Sequence, residues 1–275
     1  MSDWLVKYDG RCAACGKPLL RGQPAIWERG TRRMRCVRCP DGFRAPATQS
    51  TPATFEPGVA GASARLEHGR RLAKREARIE ARYGPGVIGK LVRAVSTEPQ
   101  STQAWAVGAA GEERLARRLA EVTGIRILND RRVPGTRGNI DHIVVAPAGV
   151  FVVDAKNLRG SIQIRDKGSF LRADKRLYVG GRDQSKLALG MTWQVAAVAG
   201  ALEGSADYAT PAVTPVLCFL DAEWPLIARH RVFDGVLLES QRSIAKRFIE
   251  SNALDDRAIA GIASRLAAAL PPKIV

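Results

Sequence analysis

The sequence has no long hydrophobic run, and several familiar catalytic motifs are missing from it. Its longest apolar stretch is far shorter than the roughly 20 residues that a membrane-spanning helix needs. The opening segment, MSDWLVKYDG, lacks the apolar centre of a signal peptide, which predicts a cytoplasmic protein. We find no Ser/His/Asp triad, P-loop or GxGxxG fingerprint. These absences argue against a membrane protein, a triad hydrolase and the common nucleotide-binding enzymes.

Acidic residues are also scarce relative to basic ones. The 275 residues include 43 Lys and Arg but only 27 Asp and Glu, so the formal net charge is +16. Residues 1–100 carry 19 basic and 9 acidic side chains, which concentrates the excess in the N-terminal third. A basic balance of this size favours a polyanionic partner such as nucleic acid. A generally basic proteome would leave the same mark, so composition alone does not decide between the two.

The most informative segment runs from residue 139 to residue 156 and reads NIDHIVVAPAGVFVVDAK. Its two Val/Ile-rich runs are joined by Pro-Ala-Gly, which predicts two strands and a short hairpin turn. Asp154 and Lys156 are two residues apart and therefore lie on the same face of a strand. In an antiparallel pair the start of the first strand lies beside the end of the second, which brings Asp141 close to them.

A third acid can come from the preceding helix. Residues 108–122 place Leu115, Leu119 and Val122 at helical spacing, and Glu112 lies three residues before Leu115 at the edge of that stripe. Two like charges about 4 Å apart repel by about 4 kcal/mol at an effective dielectric of 20. A hard divalent cation removes this penalty, so the cluster predicts a Mg²⁺ or Mn²⁺ site. The alternative is an exposed hairpin with ordinary surface charges.

The segments GAAGEERLARRL and NIDHIVVAPAGVFVVDAKNLRG together resemble the NERD (nuclease-related) domain, a family grouped with the PD-(D/E)XK phosphodiesterases. The resemblance extends over residues 104–220 and implies a nuclease that hydrolyses phosphodiester bonds. It implies metal-binding carboxylates at Asp141 and Asp154, a catalytic lysine at Lys156 and the acidic helix residue at Glu112. Only the Asp of the superfamily's Pro-Asp motif is matched, because Asn139 and Ile140 precede Asp141.

Family members often carry a glutamine in the helix after the sheet. Gln194 in TWQVAAV is the counterpart that the resemblance implies, and Gln184 is a weaker one. The loop RRVPGTRG at 131–138 lies beside the proposed site, and we expect its arginines to grip a nucleic-acid backbone. These arginines are Arg131, Arg132 and Arg137.

Four cysteines form two C-x-x-C pairs, Cys12/Cys15 and Cys36/Cys39. This spacing is typical of a structural zinc site with four thiolate ligands. The segment is too small to bury a sufficient core, so zinc would hold its fold directly. Disulfides are the alternative, and the absence of a secretion signal disfavours them. Arg33, Arg35 and neighbouring arginines favour contact with phosphates, although a solvated basic face fits as well.

The chain therefore divides into three parts by sequence. Residues 1–44 form a four-cysteine zinc-binding module, and residues 45–103 form a basic linker with a helix at 62–83. Residues 104–275 form an α/β domain with a mixed β-sheet flanked by helices, restriction-endonuclease-like in its expected fold. The core of that domain is about 104–220, and a C-terminal helical extension covers 240–271. We expect a Val213–Leu220 strand at the sheet centre and a hairpin between 161–165 and 169–173.

Three functions remain open at this point. The first is a divalent-metal-dependent nuclease that acts on DNA. The second is a non-catalytic nucleic-acid-binding protein that keeps the nuclease-like fold, and the third is a protein-interaction adaptor that uses zinc for folding only. The sequence leaves the choice between DNA and RNA, the mode of cleavage and the oligomeric state undecided.

Overall fold

A computed structural model describes residues 3–6, 10–12, 17–28, 33–37, 56–95, 99–136, 138–169, 172–204, 211–224 and 231–273. The chain divides into two compact units, Met1–Ala53 and Thr54–Val275. The second unit includes most of the segment that the sequence analysis set apart as a basic linker. No helix in the described ranges is long and apolar enough to span a membrane.

The N-terminal unit consists of short strands around a small apolar cluster. Its strands are β1 (Asp3–Leu5), β2 (Gly10–Arg11), β3 (Pro18–Leu19), β4 (Pro24–Glu28) and β5 (Arg33–Cys36). They form a three-stranded sheet in the order β1-β4-β5 and a separate β2-β3 hairpin. Val6, Cys12, Leu19 and Ala25 are the buried residues of its core. So small an apolar cluster agrees with the expectation that this unit needs a further source of stability.

The larger unit begins with three helices and continues as an α/β domain. The helices are α1 (Ala62–Tyr83), α2 (Val87–Val95), α3 (Gln100–Ala120), α4 (Lys186–Leu202), α5 (Ile244–Phe248) and α6 (Asp256–Ala269). The strands are β6 (Arg126–Arg132), β7 (Asn139–Ala146), β8 (Gly149–Asp166), β9 (Lys175–Val179), β10 (Arg182–Asp183), β11 (Val213–Glu223), β12 (Val232–Phe233) and β13 (Val236–Ser240).

These eight strands form one mixed sheet. β6, β7 and β8 are successive antiparallel neighbours, and β11 lies parallel to both β8 and β13. β8 is long enough to pair with β7 near its start and with β9 near its end. Where β8 and β11 cross the core, nearly all of their residues are apolar and buried. This is expected for central parallel strands, because both faces of such strands are covered.

Helices cover both faces of the sheet. On one face, buried side chains of α4 and α6, such as Met191 and Leu266, pack against β7, β8 and β11. On the other face, Leu115 and Leu119 of α3 and Phe248 of α5 form a second apolar layer. The Phe248 ring meets Phe151 of β8 edge-on, with centroids 5.0 Å apart. This three-layer arrangement confirms the predicted α/β class and is consistent with a restriction-endonuclease-like fold.

Several sequence expectations agree with these elements and one does not. α1 has the predicted bounds, and α6 lies within the predicted C-terminal helical extension, capped by the Asp255 carboxylate, which accepts a hydrogen bond from Ala258 N at 2.8 Å. The end of β8 forms the first strand of the predicted hairpin. The second strand was predicted at 169–173 but lies at Lys175–Val179. The intervening turn is longer because Asp166 accepts hydrogen bonds from the backbone amides of both Gly168 and Asp174.

Candidate functional site

The site lies where strands β7 and β8 separate. Their antiparallel pairing runs from Ala146–Gly149 to His142–Val153, and the next residues on the two strands are Asp141 and Asp154. Burial raises the pKa of Asp141, and the two carboxyl groups are close enough for the charge of Asp154 to raise it further. Asp141 Oδ2 also accepts a hydrogen bond of 3.3 Å from the backbone amide of Ala155. The hairpin thus brings together the two acids that the sequence predicted would be close.

Lys156 follows Asp154 on the same side of β8, and its ammonium group donates a hydrogen bond to Asp154 Oδ1. Burial lowers the pKa of Lys156, but attraction to Asp154 and Asp141 outweighs it, so its pKa lies above the usual value. The lysine therefore remains a cation in this pocket. It offsets part of the negative charge of the two aspartates and does so at short range.

Glu112 reaches the same place from α3. It lies on the buried stripe of the helix with Leu115 and Leu119, three and seven residues ahead, and only 8% of its surface is exposed. Neighbouring Gly111 lets α3 approach the sheet, because a Cβ there would lie 3.0 Å from Leu220 Cδ1 and 3.3 Å from Asn157 Cβ. In the sequence GAAGEE, the small residue Gly111 lets α3 lie close to the sheet, and the acid Glu112 follows it directly.

The pKa values show how poorly this cluster accommodates negative charge. Burial raises the pKa of Glu112 to about 7, with the charges of Asp130 and Asp154 adding to the effect and the amide of Gly61 opposing it. Burial likewise raises the pKa of Asp141 well above its ordinary value, and the charges of Asp154 and Glu112 raise it further. Lys156 lowers both pKa values but does not restore them.

Glu112, Asp141 and Lys156 open onto a cavity of about 430 Å³, whereas Asp154 is not among the described residues that line it. It is lined by residues of α1, α3, β7 and β8, among them Ala64, Trp105, Glu112, Asn139, Asp141 and Lys156. The described residues that line it do not include Gln194. Gln194 is buried on α4, where its Nε2 lies 3.8 Å from Met191 Sδ and its Oε1 has no hydrogen-bond partner among the described residues.

The sequence analysis missed a second set of polar residues around the cavity. Asp130 is fully buried with a φ of 46°, and its carboxylate accepts hydrogen bonds from Ser63 Oγ at 2.6 Å, from Ser63 N and from Asn139 Nδ2 at 3.0 Å. Gly61 N donates to Glu112 Oε2 at 3.0 Å. The start of α1 therefore contacts two acids of the site, although the sequence indicated only a helix within a basic linker.

The Gly61 position explains why a glycine precedes α1. Its φ is 72°, and a Cβ there would lie 2.9 Å from the carbonyl oxygen of Ala109. Only glycine combines this left-handed conformation with such a close approach to α3. The two glycines in GVAGA, Gly58 and Gly61, were the local signals that this segment packs tightly.

His142 is buried beside the acids but takes no visible part in ligand binding. Burial lowers its pKa to about 4, against the opposite influence of Asp154, so the ring is neutral. Its Nδ1 lies 2.8 Å from Asn129 Oδ1, which accepts the hydrogen of that nitrogen. The buried, neutral ring is therefore a core residue beside the site.

Two arginines predicted to contact nucleic acid are placed where they cannot reach it. Arg131 is fully buried and donates hydrogen bonds to the carbonyl oxygens of Glu56 and, at 3.3 Å, Leu270. Arg35 is 5% exposed in the N-terminal unit. Because both guanidinium groups are buried, they cannot contact a phosphate. The predictions that Arg131 and Arg35 contact nucleic acid were therefore wrong. Arg132 is exposed; Arg137 and the side chain of Arg33 lie outside the described residues.

The cysteine pairs are described only in part. Cys12, just after β2, is buried, and Cys36, the last residue of β5, donates its backbone amide to Cys12 Sγ at 3.2 Å. The two pairs therefore approach each other through these members, whereas Cys15 and Cys39 lie outside the described residues. Cys218 is buried in β11, where burial raises the pKa of its thiol, as expected for a core cysteine.

No group of three or more His, Cys, Asp or Glu side chains in the described ranges is arranged to hold a metal ion. At the acidic site, Lys156 donates a hydrogen bond to Asp154 and the Gly61 amide donates one to Glu112, so both carboxyl groups already have a partner. The arrangement presents a carboxyl pair, a nearby third acid and one cation around an open cavity.

Comparison with known proteins agrees with this geometry. No curated protein and no solved structure matched the chain. One family model did match, and it covers α3 from Val107 onward and the sheet as far as Leu220 in β11. Glu112, Asp141, Asp154 and Lys156 all fall inside it. The match covers residues 107–220 and is to the nuclease-related domain, NERD.

Proposed function

We propose that this protein is a nuclease that hydrolyses phosphodiester bonds in DNA and depends on Mg²⁺ or Mn²⁺. The observation that carries the proposal is the grouping of Asp141, Asp154 and Lys156, three residues of the stretch that matches the nuclease-related domain, at a cavity that Asp141 and Lys156 line. Acids with raised pKa values in a cleft are a recurring feature of catalytic sites.

The residues present fit a hard divalent cation. All the candidate ligands are oxygens, namely the carboxylates of Asp141 and Asp154, to which we add the carbonyl of Ala155. Two carboxylates are enough for Mg²⁺, which keeps several waters and takes further ligands from substrate phosphates. A bound cation would also favour the ionised form of Asp141, whose pKa is otherwise raised by burial and by its neighbours.

The chain's own groups then have separable roles. Bound divalent metal supplies an activated water and offsets negative charge on the phosphate. Lys156, held as a cation by Asp154, orients the attacking water or neutralises negative charge that develops on the phosphate. Glu112 completes the site from α3 and adds negative potential to the cavity. We retain Gln194 as a catalytic candidate only on the family resemblance.

We further propose that Cys12, Cys15, Cys36 and Cys39 bind a structural Zn²⁺ ion. The support is the approach of Cys12 and Cys36, joined by an amide-to-sulfur hydrogen bond, in a unit with a very small apolar core. Four thiolates on two knuckles are a standard tetrahedral zinc set. A zinc-stabilised unit with a basic sequence would help to tether a polyanion.

One observation favours a second candidate, a nucleic-acid-binding protein without catalysis. In the described ranges no three acidic or other metal-ligating side chains converge on one point, and Lys156 already satisfies Asp154. A protein of this kind would keep the fold and the basic surfaces but would cut no bond. Its affinity for DNA would be indifferent to metal at the acidic site.

The test compares cleavage of supercoiled plasmid by the wild type and by Asp154→Ala, each with Mg²⁺, Mn²⁺ or EDTA. Asp256→Ala serves as the matched control, because Asp256 is exposed in the first turn of α6. We expect metal-dependent nicking that falls about 100-fold or more in Asp154→Ala and is unchanged in the control. Binding measured in EDTA should survive in all three proteins. Equal cleavage by Asp154→Ala would refute the site, and binding without any cleavage would establish the second candidate.

A further inference from the structure

A second cavity, distinct from the acidic one, lies on the far half of α3. It has a volume of about 360 Å³ and is lined by Arg114, Arg117, Arg118, Glu121, Gln241 and Arg242. Four arginines and one glutamate give this lining a formal charge of +3. The charges come from two elements remote in sequence, α3 and the turn after β13, so the fold and not a local basic run brings them together.

Part of this positive charge is already compensated. Arg114 Nη2 pairs with Asp221 Oδ1 at 2.9 Å, and Arg118 pairs with Glu121 at the surface. The second pair is exposed on both sides and contributes little to stability. Arg117 and Arg242 are exposed and have no acidic partner among the described residues. These two guanidinium groups are therefore available to an anion.

A buried donor points to the same kind of ligand. The Nε atom of Arg114 is inaccessible to solvent and has no hydrogen-bond partner in the part of the chain that the structure describes. A buried donor without a partner costs about 1–3 kcal/mol. Arginine presents its donors in a planar fork that matches phosphate oxygens, which makes a phosphate group the anion best suited to this lining.

The position of the cavity relates it to the acidic site. Arg117 lies five residues after Glu112 on α3, a rise of about 7.5 Å along the helix axis. Gln241 directly follows β13, which lies two strands from β8 in the sheet, or about 10 Å at the usual strand spacing. The two cavities therefore lie at separate places along α3 and across the sheet.

We propose that Arg114, Arg117, Arg118 and Arg242 form a backbone-phosphate site that holds DNA away from the bond cut at Asp141 and Asp154. This inference rests on the proposed function, because it takes the acidic cavity as the place of cleavage. The site positions the substrate, since contacts to backbone phosphates carry no base-sequence information. The arginine site therefore contributes to DNA binding, whereas the acidic cluster contributes to the chemical step.

The test measures DNA binding in EDTA, where no cleavage occurs, as a function of salt concentration. The variant is Arg117→Ala/Arg242→Ala in the full chain. The control is Arg182→Ala/Arg257→Ala, which removes two exposed arginines of the same unit outside this cavity. We expect the salt slope to fall by about 2 and affinity to fall about tenfold at low salt in the first variant only.

Cleavage kinetics give a second, independent readout. With Mg²⁺ the Arg117→Ala/Arg242→Ala variant should need about tenfold more DNA for half-maximal rate and should keep its maximal rate. An unchanged salt slope, or an equal fall in the control, would overturn the phosphate site and leave the proposed hydrolysis standing. A wild type that binds no DNA in EDTA would also overturn it, while metal-dependent nicking would still decide the proposed function separately.

Discussion

Replacing Glu112 by glutamine should stabilise the metal-free protein at neutral and alkaline pH. On folding, burial and the nearby acids raise the pKa of this carboxyl from an ordinary value of 4.5 to about 7. An acid with a raised pKa holds its proton more tightly when folded, so stability is lost as the pH rises from about 4.5 to about 7. From the size of the shift, ionised Glu112 costs about 3 kcal/mol above that window.

Glutamine avoids this cost without losing the local hydrogen bond. Its side-chain carbonyl can accept the Gly61 amide that Glu112 Oε2 now accepts, and it stays neutral at every pH. We therefore expect Glu112→Gln to match the wild type near pH 4.5 and to exceed its free energy of unfolding by about 2–3 kcal/mol near pH 8. The same variant should cleave DNA at least about tenfold more slowly, because the site loses one of its acids.

The assay is urea unfolding in EDTA at a series of pH values, followed by far-UV circular dichroism. The described helices all lie in Thr54–Val275, so the helical signal reports on the unit that contains Glu112. A difference between variant and wild type that does not change with pH would refute the electrostatic reasoning. A variant that is less stable near pH 8 would show that the carboxylate is compensated by a contact we have not considered.

Two further predictions concern the start of α1 and the cysteine unit. Ser63→Ala removes a hydroxyl that donates to buried Asp130, and urea unfolding should show a loss of about 1–2 kcal/mol. Ser264→Ala, whose hydroxyl only contacts the Ala260 carbonyl of its own helix, should change stability by less than about 0.5 kcal/mol. Cys12→Ser should abolish the binding of one Zn²⁺ per chain, measured by metal analysis after dialysis; full zinc content in the variant would contradict the four-thiolate site.

Local sequence patterns were enough to predict the pair of acids at the hairpin. The alternation of β7 and β8 and the short turn between them fix which residues face each other, and both depend on neighbours in sequence. The helical spacing of α3 likewise placed Glu112 on the buried stripe. These relations connect residues within about one hairpin or a few helical turns, where geometry is largely determined by the chain itself.

Contacts across long sequence separations were not predictable in the same way. Ser63 and Asp130 are 67 residues apart, and nothing in a mostly charged helix indicates that its first turn meets a strained aspartate. Arg131 was expected in a loop, yet it is a strand residue whose guanidinium donates to Glu56 and Leu270, the latter 139 residues away. Such contacts depend on how whole elements pack.

Burial of an acid does not by itself indicate a functional site, as Glu239 shows. This residue is fully buried at the end of β13, but it accepts hydrogen bonds from Arg247 Nε at 2.5 Å, from Arg231 Nη1 at 3.1 Å and from Ser243. Two arginines and a hydroxyl compensate its charge, and we read it as a structural group.

The acids beside β7 and β8 are different because their charge is not compensated in this way. Asp141 and Glu112 both have raised pKa values, and a single lysine faces three carboxyls. Asp130 adds a left-handed backbone conformation next to them, which costs about 1–3 kcal/mol outside glycine. Selection for stability alone would remove these costs one by one. Their concentration in one region favours the proposed cation site over an ordinary buried ion network.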